Sequence, residues 1–311
     1  MPDVAALLLV AFIVGIVIGL TGMGGGALMT PALIFLGIPP TTAVANDLVA
    51  ASVNKSVGAA VHWRSGSPNL QLAKWLIMGS LPFAFAGAWI VDGLGDHESQ
   101  QSFLKLAIGV TLVLTASTYV FRMYLELSRG ILDDPDAPDP RVRPIPTLLV
   151  GAVGGLLVGI TSVGSGSLIM VCMVLLYPML SAVKLVGTDL VQAIPLVIAA
   201  SISHVLVNGV DWSILIPLIL GGAPGTFLGA KLGNLVPQSV TRRGIAIVLT
   251  LTGMAMLGVP PTWVGLIGGG LVILGPVAWG LLRRLHGVPA FDHLPVGRSG
   301  QRDTTEPSTR L

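Results

Sequence analysis

Apolar residues run along the chain in long uninterrupted stretches, and the polar positions between them are few and clustered. A membrane-spanning helix needs about 20 apolar residues, with a range of roughly 17–25. The runs 4–20, 43–61, 70–94, 102–121, 185–207, 213–236, 241–257 and 263–282 meet that length, and 145–160 falls just short of it. Two more, 27–38 and 167–180, are clearly shorter, and each follows a glycine-rich interruption. The pattern predicts an all-α, polytopic membrane helical bundle. The stretch 122–144 differs in kind, with Asp133, Asp134, Asp136, Asp139 and four prolines, and predicts a solvated linker. From about Gly287 the chain turns polar and is expected to be disordered.

The apolar runs are not independent of one another. Gly19-Leu-Thr-Gly-Met-Gly-Gly-Gly-Ala-Leu28 matches Gly159-Ile-Thr-Ser-Val-Gly-Ser-Gly-Ser-Leu168 at an offset of 140. At an offset of 142, Asp47-Leu48-Val49 matches Asp189-Leu190-Val191 and His62 matches His204. The same offset carries Gly79, Pro82, Gly87 and Ala88 onto Gly221, Pro224, Gly229 and Ala230. Four blocks in register, with Asp and His inside hydrophobic runs, indicate a duplication. The organisation read from this is repeat one at 1–121, a cytoplasmic linker at 122–144 and repeat two at 145–262, followed by an extra membrane helix at 263–284 and a cytoplasmic tail at 285–311.

Lys and Arg favour the cytoplasmic side of membrane segments. Arg283 and Arg284 place the C-terminus inside, and counting back one crossing at a time puts Arg242, Arg243, Lys184, the linker arginines, Arg64 and Lys74 on the same side. Asp211, Asp96 and Glu98 fall on the other. Five segments per repeat is an odd number, so the two halves are expected to have inverted topology, an arrangement recurrent in secondary transporters. The short runs 27–38 and 167–180 either cross or re-enter; re-entry takes the count from eleven to nine.

Composition sharpens the class. Hydrophobic residues make up 53% and charged residues 10%, against about 25% charged in soluble domains. Nine charges lie between Arg122 and Arg143 and eight between Arg283 and Arg310, leaving 15 for the remainder. A net charge of +2 gives no basic footprint for nucleic acid. The single cysteine, Cys172, forms neither an intramolecular disulfide nor a metal cage. Met-Pro-Asp at the start lacks the basic region of a cleavable signal, so 4–20 is read as a retained first segment. No Gly-x-x-x-x-Gly-Lys-[Ser/Thr], His-Glu-x-x-His or Gly-x-Ser-x-Gly occurs, which speaks against an ATP-driven pump or an enzyme and for a protein without cofactor or metal.

The interruptions Thr21-Gly22-Met-Gly24-Gly25-Gly26 and Thr161-Ser162-Val-Gly164-Ser165-Gly166 are the main candidate site. Non-helical backbone at membrane depth is tolerated only where protein buries it or it lines a wet cavity. The short helix after each break would turn its N-terminal amides and positive dipole end into the break, which suits an anion. Gly15-x-x-x-Gly19 and Gly151-x-x-x-Gly155-x-x-x-Gly159 just upstream are read as close helix packing. That reading also stands as the alternative for the breaks themselves. Gly22-x-Gly24-x-x-Ala27 imitates a dinucleotide fingerprint but follows a membrane run, not a strand.

Polar residues inside the segments add a second group. Asp47, Asn54, Lys55, Gly58 and His62 fall on one helical face, and Asp189, Gln192, Ser203 and His204 form a similar stripe across Pro195. With inverted halves, Asp47 is expected at the same membrane side as His204 and Asp189 at the side of His62, the cross-repeat pairs serving as gates or proton relays. The alternative is that both aspartates cap helix N-termini. Lys55, whose repeat counterpart is Val197, either neutralises an anionic substrate or pairs with Asp47. The substrate-binding set is therefore Thr21, Gly22, Gly24, Gly25, Gly26, Asn54, Lys55, Thr161, Ser162, Gly164, Ser165 and Gly166, and the gating or relay set Asp47, His62, Asp189, Gln192 and His204.

The opening Gly19-Leu-Thr-Gly22-Met-Gly24-Gly25-Gly26-Ala-Leu-Met-Thr-Pro31, followed by Ala45-Asn-Asp-Leu48 and Gly58-Ala-Ala-Val-His62-Trp-Arg64, resembles the sulfite exporter TauE/SafE family of bacterial membrane transporters. The likeness runs from about residue 5 to 283. Ala45-Asn46-Asp47 and Gly187-Thr188-Asp189 depart from the family's usual Gly-Thr-Ser-like block, and the acidic linker and arginine-bearing tail are further departures. The resemblance implies export of a small sulfur-containing anion, such as sulfite or an organosulfonate, across a bacterial inner membrane. The expected partners are that anion, a coupling ion (H+ or Na+) and the lipid bilayer, with no nucleic acid; a homo-oligomer is left open. A passive anion channel, or a carrier of another small anion, is the competing reading.

Overall fold

The structure is a computed structural model that describes residues 3–21, 26–62, 68–129, 140–164, 166–232 and 238–285. Among the described residues there are eleven α-helices and no strand. The first five are α1 (Val4–Thr21), α2 (Gly26–Phe35), α3 (Pro40–His62), α4 (Leu70–Asp92) and α5 (His97–Arg129). Their counterparts α6 (Pro144–Thr161), α7 (Ser167–Leu176), α8 (Ala182–Asn208), α9 (Trp212–Leu232) and α10 (Gln238–Met256) each begin 140 to 142 residues later. The last helix, α11 (Pro261–Leu285), has no partner in this correspondence. Met1–Gly268 form one compact unit, and Gly269–Leu311 a second that, where described, is the remainder of α11.

Among the described residues, six helices (α4, α5, α6, α8, α9 and α11) are long and apolar enough to cross a membrane. The ten-residue α2 and α7 rise only about 15 Å, half of the ~30 Å hydrocarbon core. In the second half the short helix folds back on its predecessor. Tyr177, directly after α7, has its hydroxyl 2.8 Å from the Arg143 amide and 2.6 Å from Thr147 Oγ1 at the start of α6. The pair α6–α7 is therefore a hairpin with both ends together and the glycine break at its tip. Within the solvated linker expected from 122, α5 instead continues to Arg129. No glycine or proline intervenes before Gly130, and Met123 and Leu125 are buried, so the helix has both propensity and an apolar contact to extend it.

The two most extensive helix contacts are α1 against α9 and α4 against α6. Since α1 corresponds to α6 and α9 to α4, each contact is the image of the other, and each half lends its first helix to the opposite half. Glycine makes both seams. A methyl group at Gly15 would sit 2.6 Å from the Gly222 carbonyl oxygen, and one at Gly19 2.6 Å from the Ala230 amide. On the other seam, a methyl at Gly155 would sit 2.7 Å from the Ser80 Cα, and one at Gly159 2.9 Å from the Ala84 Cα. Backbones approach this closely only where small residues face each other. The repeated Gly79/Gly87 and Gly221/Gly229 supply the opposing face, so the packing role expected of the upstream glycines is the one found.

The centre is occupied by α3 and α8, which run antiparallel: Ser201 Oγ donates to the Leu48 carbonyl at 2.7 Å, while Lys55, further along α3, is in electrostatic range of Asp189, earlier in α8. The corresponding helices α5 and α10 are also antiparallel, with Gly109 against Leu257 and Gly253 against Val113. Central placement explains why α3 can be too polar to qualify as a span on its own. Asn46, Asp47 and Asn54 are all buried, as are Gln192, Ser203 and His204 of α8. Outer positions such as Leu9, Trp89, Leu114, Leu206 and Leu220 are exposed apolar side chains, as lipid-facing surfaces require.

Gly155→Val should therefore force the α4–α6 seam apart and cost at least about 1–3 kcal/mol. Gly265→Ala, where nothing lies within 4 Å of the added carbon, is expected to leave stability unchanged. Thermal unfolding midpoints of the purified variants in one detergent check both.

Candidate anion site at the helix breaks

The two breaks meet. A methyl on Gly26, the first residue of α2, would lie 2.7 Å from Ser162 Oγ and overlap the Ser162 carbonyl. Ser162 follows α6 in the left-handed conformation (φ 62, ψ 1) and is the one positive-φ residue other than glycine among the described residues. For a residue with a Cβ that conformation costs about 1–2 kcal/mol. A hydrogen bond offsets it: Ser162 Oγ donates to Asp47 Oδ2 at 2.8 Å, and Thr30 Oγ1 of α2 donates to the same oxygen at 2.5 Å. The Asp47 carboxylate thus ties α3 to the short helix of its own half and to the break of the other.

The other polar groups of the second break are turned to holding its shape. Thr161 Oγ1 donates to the Leu157 carbonyl at 2.6 Å and accepts the Val163 amide at 3.2 Å. Gly164, at φ 105, takes a conformation open to glycine and has Thr111 of α5 as its nearest neighbour. Gly166 caps α7 with no side-chain hydrogen bond. Gly22, Gly24, Gly25 and Ser165 lie outside the described residues, as do the side chains of Thr21 and His62, which end α1 and α3.

Neither aspartate caps a helix. Asp47 and Asp189 each lie seven residues into their helices, and the N-cap of α8 is Ser181, whose Oγ accepts the Lys184 amide. The cross-repeat contact expected between Asp47 and His204 is also absent. His204 Nε2 sits 2.6 Å from the Gly159 carbonyl, which can only accept, so Nε2 carries the proton and Nδ1 accepts from Asn208 at 3.2 Å. The fully buried imidazole thereby fastens α8 to the last turn of α6, immediately before the break. Asp47 is at the same level, next to the Leu48–Ser201 contact, but its bonds go to the two hydroxyls.

Asn54 and Lys55 lie two turns further along α3. Asn54 is buried against Gly222 of α9, with its Oδ1 unpaired. The half-buried Lys55 is in electrostatic range of both Asp189 and Asp47, Asp189 more strongly. Asp189 Oδ1 accepts from Gln192 Nε2 at 3.0 Å, while the buried Gln192 Oε1 is unpaired. A line of polar groups therefore runs from the joined breaks, through Lys55, to Asp189. Buried polar atoms lacking a partner mark places where water or a ligand completes the network.

A family model described as "Sulfite exporter TauE/SafE" matches residues 7–256. The chain belongs to the sulfite exporter TauE/SafE family. It is 36% identical to "Probable membrane transporter protein YjnA" of Bacillus subtilis (strain 168) over 81% of this chain and 99% of that relative. A second Bacillus subtilis relative, "Probable membrane transporter protein YdhB", is 27% identical over 81% of this chain and 99% of its own. "Probable membrane transporter protein MJ0441" of Methanocaldococcus jannaschii is 29% identical over 78% and 90% respectively. No solved structure matches the chain significantly. The protein is a multi-pass membrane transporter.

Two residues beside the candidate site are not singled out by the sequence. Thr30 is a lone hydroxyl in an otherwise apolar short helix, and its counterpart at the break's offset is Met170. Arg122 looked like the first linker residue, yet it extends α5 and its guanidinium contacts Met170 Sδ.

Replacing Ser162 separates its two roles. Ser162→Gly loses the hydroxyl bond but suits the left-handed backbone, whereas Ser162→Ala loses the bond and keeps the strain. The alanine variant is expected to be less stable than the glycine variant by about 1 kcal/mol, read as a lower unfolding midpoint; equal midpoints would remove the strain from the account.

Proposed function

We propose that the protein is a secondary transporter that moves a small sulfur-containing oxyanion, of the sulfite or organosulfonate kind, across the bacterial inner membrane by alternating access. The reading rests chiefly on the contact between the breaks, in which a hydroxyl from one half serves a carboxylate from the other at the tip of a glycine-bearing hairpin. Transporters of repeated architecture bind substrate where interrupted helices of two halves face each other near the midplane. Movement of one half against the other would open and close that junction.

In this reading α1–α2 and α6–α7 are re-entrant hairpins that dip from opposite faces and touch at their tips. Both members of each hairpin then leave the crossing count together, so the sidedness of the remaining helices is unaffected. The chain's start lies outside, and Arg242, Arg243, Arg283 and Arg284 lie on the cytoplasmic side. Export follows from the family's description, and the coupling ion is H+ or Na+.

Reconstituted vesicles test this. With an imposed proton or sodium gradient, sulfite or sulfoacetate is expected to accumulate against its own gradient, and a simple carboxylate such as acetate is not. Movement down the gradient alone would make the protein a passive anion channel. Absence of flux for sulfite, sulfate, thiosulfate and sulfoacetate alike would remove the substrate class.

A further inference from the structure

The fold repeats, but the surroundings of its two matched carboxylates do not. Asp47 is buried and receives hydroxyls from Thr30 and Ser162. At the break's offset of 140, the residues that correspond to those donors are Met170 and Gly22, which have no hydroxyl to give. Asp189 is only partly buried. Asp189 accepts from Gln192, and Lys55 from α3 and Arg122 from α5 are within electrostatic range of its carboxylate; Arg122 rests against the very Met170 that stands in place of Thr30. Tyr119, one turn before Arg122 and buried, is in electrostatic range of Arg122, Arg242 and Asp189.

Both cations belong to the first half alone. The counterpart of Lys55 is Val197. Arg122 has no counterpart within α10, because α10 ends at Met256 while α5 continues to Arg129. The duplicated frame has thus gained, on one side only, an ammonium and a guanidinium within electrostatic range of one carboxylate. A guanidinium is suited to planar, two-oxygen recognition of carboxylates and related oxyanions, and a carboxylate within range of such groups is one that an oxyanion substrate would compete with. Asp47 is buried and held by two neutral hydroxyls, and Lys55 acts on it more weakly than on Asp189.

We propose that Asp189 is a resident counter-anion and that the transported oxyanion displaces its carboxylate from Lys55 and Arg122. The step involves no covalent chemistry. An arriving sulfite or sulfonate group takes over the two cations, Asp189 keeps only the bond it already accepts from Gln192 Nε2, and the return of Asp189 to the cations expels the anion. Arg122 is accordingly a substrate-binding residue. Lys55, which also acts on Asp47, connects this site with the joined breaks. The proposal rests on the anion-transport reading above and adds the groups that hold the cargo's charge.

The test is binding of radiolabelled sulfite to the full chain in lipid nanodiscs. Asp189→Asn removes the competitor and is expected to tighten binding about tenfold, while Arg122→Gln weakens it about tenfold and Arg122→Lys, which keeps the charge and loses the fork, weakens it about threefold, all read as Kd. Asp189→Asn should also slow release in vesicle flux. A folded Asp189→Asn protein with unchanged or weaker binding would overturn the proposal. Should that variant not fold, equal binding by Arg122→Gln and the parent, or equal loss in Arg122→Gln and Arg122→Lys, would overturn it in its place. A parent chain that binds neither sulfite nor sulfoacetate removes the transport reading and the counter-anion together. A parent that binds sulfite but is indifferent to both positions removes the counter-anion alone.

Discussion

A helix interrupted inside a bilayer leaves amides and carbonyls that lipid cannot satisfy, so the protein must supply every partner from its own side chains and backbone. That constraint organises this molecule. The second break is closed by Thr161 upon its own turn and by Ser162 on Asp47. Asp47 in turn must be buried, which forces α3 into the centre, where its other polar residues are buried as well. The glycine seams bring α1 and α6 close enough to the opposite halves for the two breaks to touch.

The backbone correspondence between the halves is close, and the chemistry on it has diverged. Equivalent helices start at nearly constant offsets and make equivalent contacts. The side chains at the equivalent carboxylates differ: Thr30 against Met170, Ser162 against Gly22 and Lys55 against Val197. Symmetry of the frame suits two matched end states for a carrier, because each half can adopt what the other relinquishes. In the alternating-access reading proposed above, asymmetry of charge would give the two ends different affinities, without which a bound ion could shift no conformational balance.

Much of the fold could be read from the residues. The glycine and proline blocks, repeated at fixed offsets, fixed both the helix correspondence and the small-residue faces, because close backbone approach leaves a mark at each position where a side chain would clash. The end of α5 was harder, since the charges of Arg122, Glu126 and Arg129 look like a loop although nothing there breaks a helix. The partners of single polar groups were least legible. Asp47 and His204 do share a level, but bond geometry sends one to hydroxyls of α2 and α6 and the other to a carbonyl of α6. Spacing along a helix gives the face and depth of a residue; the identity of what meets it is a tertiary fact, and Thr30 lay in a helix too apolar to draw notice.

The account depends on a side chain of one half completing the break of the other, and a double-substitution cycle between Asp47 and Ser162 measures that directly. Asp47→Ala, Ser162→Gly and their combination would be compared by thermal unfolding and by sulfite flux in nanodiscs and vesicles. A hydrogen bond to a charged group predicts a coupling of about 1.5–3 kcal/mol in stability, with the double variant losing far less than the two single losses together. Losses that add within about 0.5 kcal/mol would mean that the two halves do not meet through this bond, and the central junction would have to be abandoned.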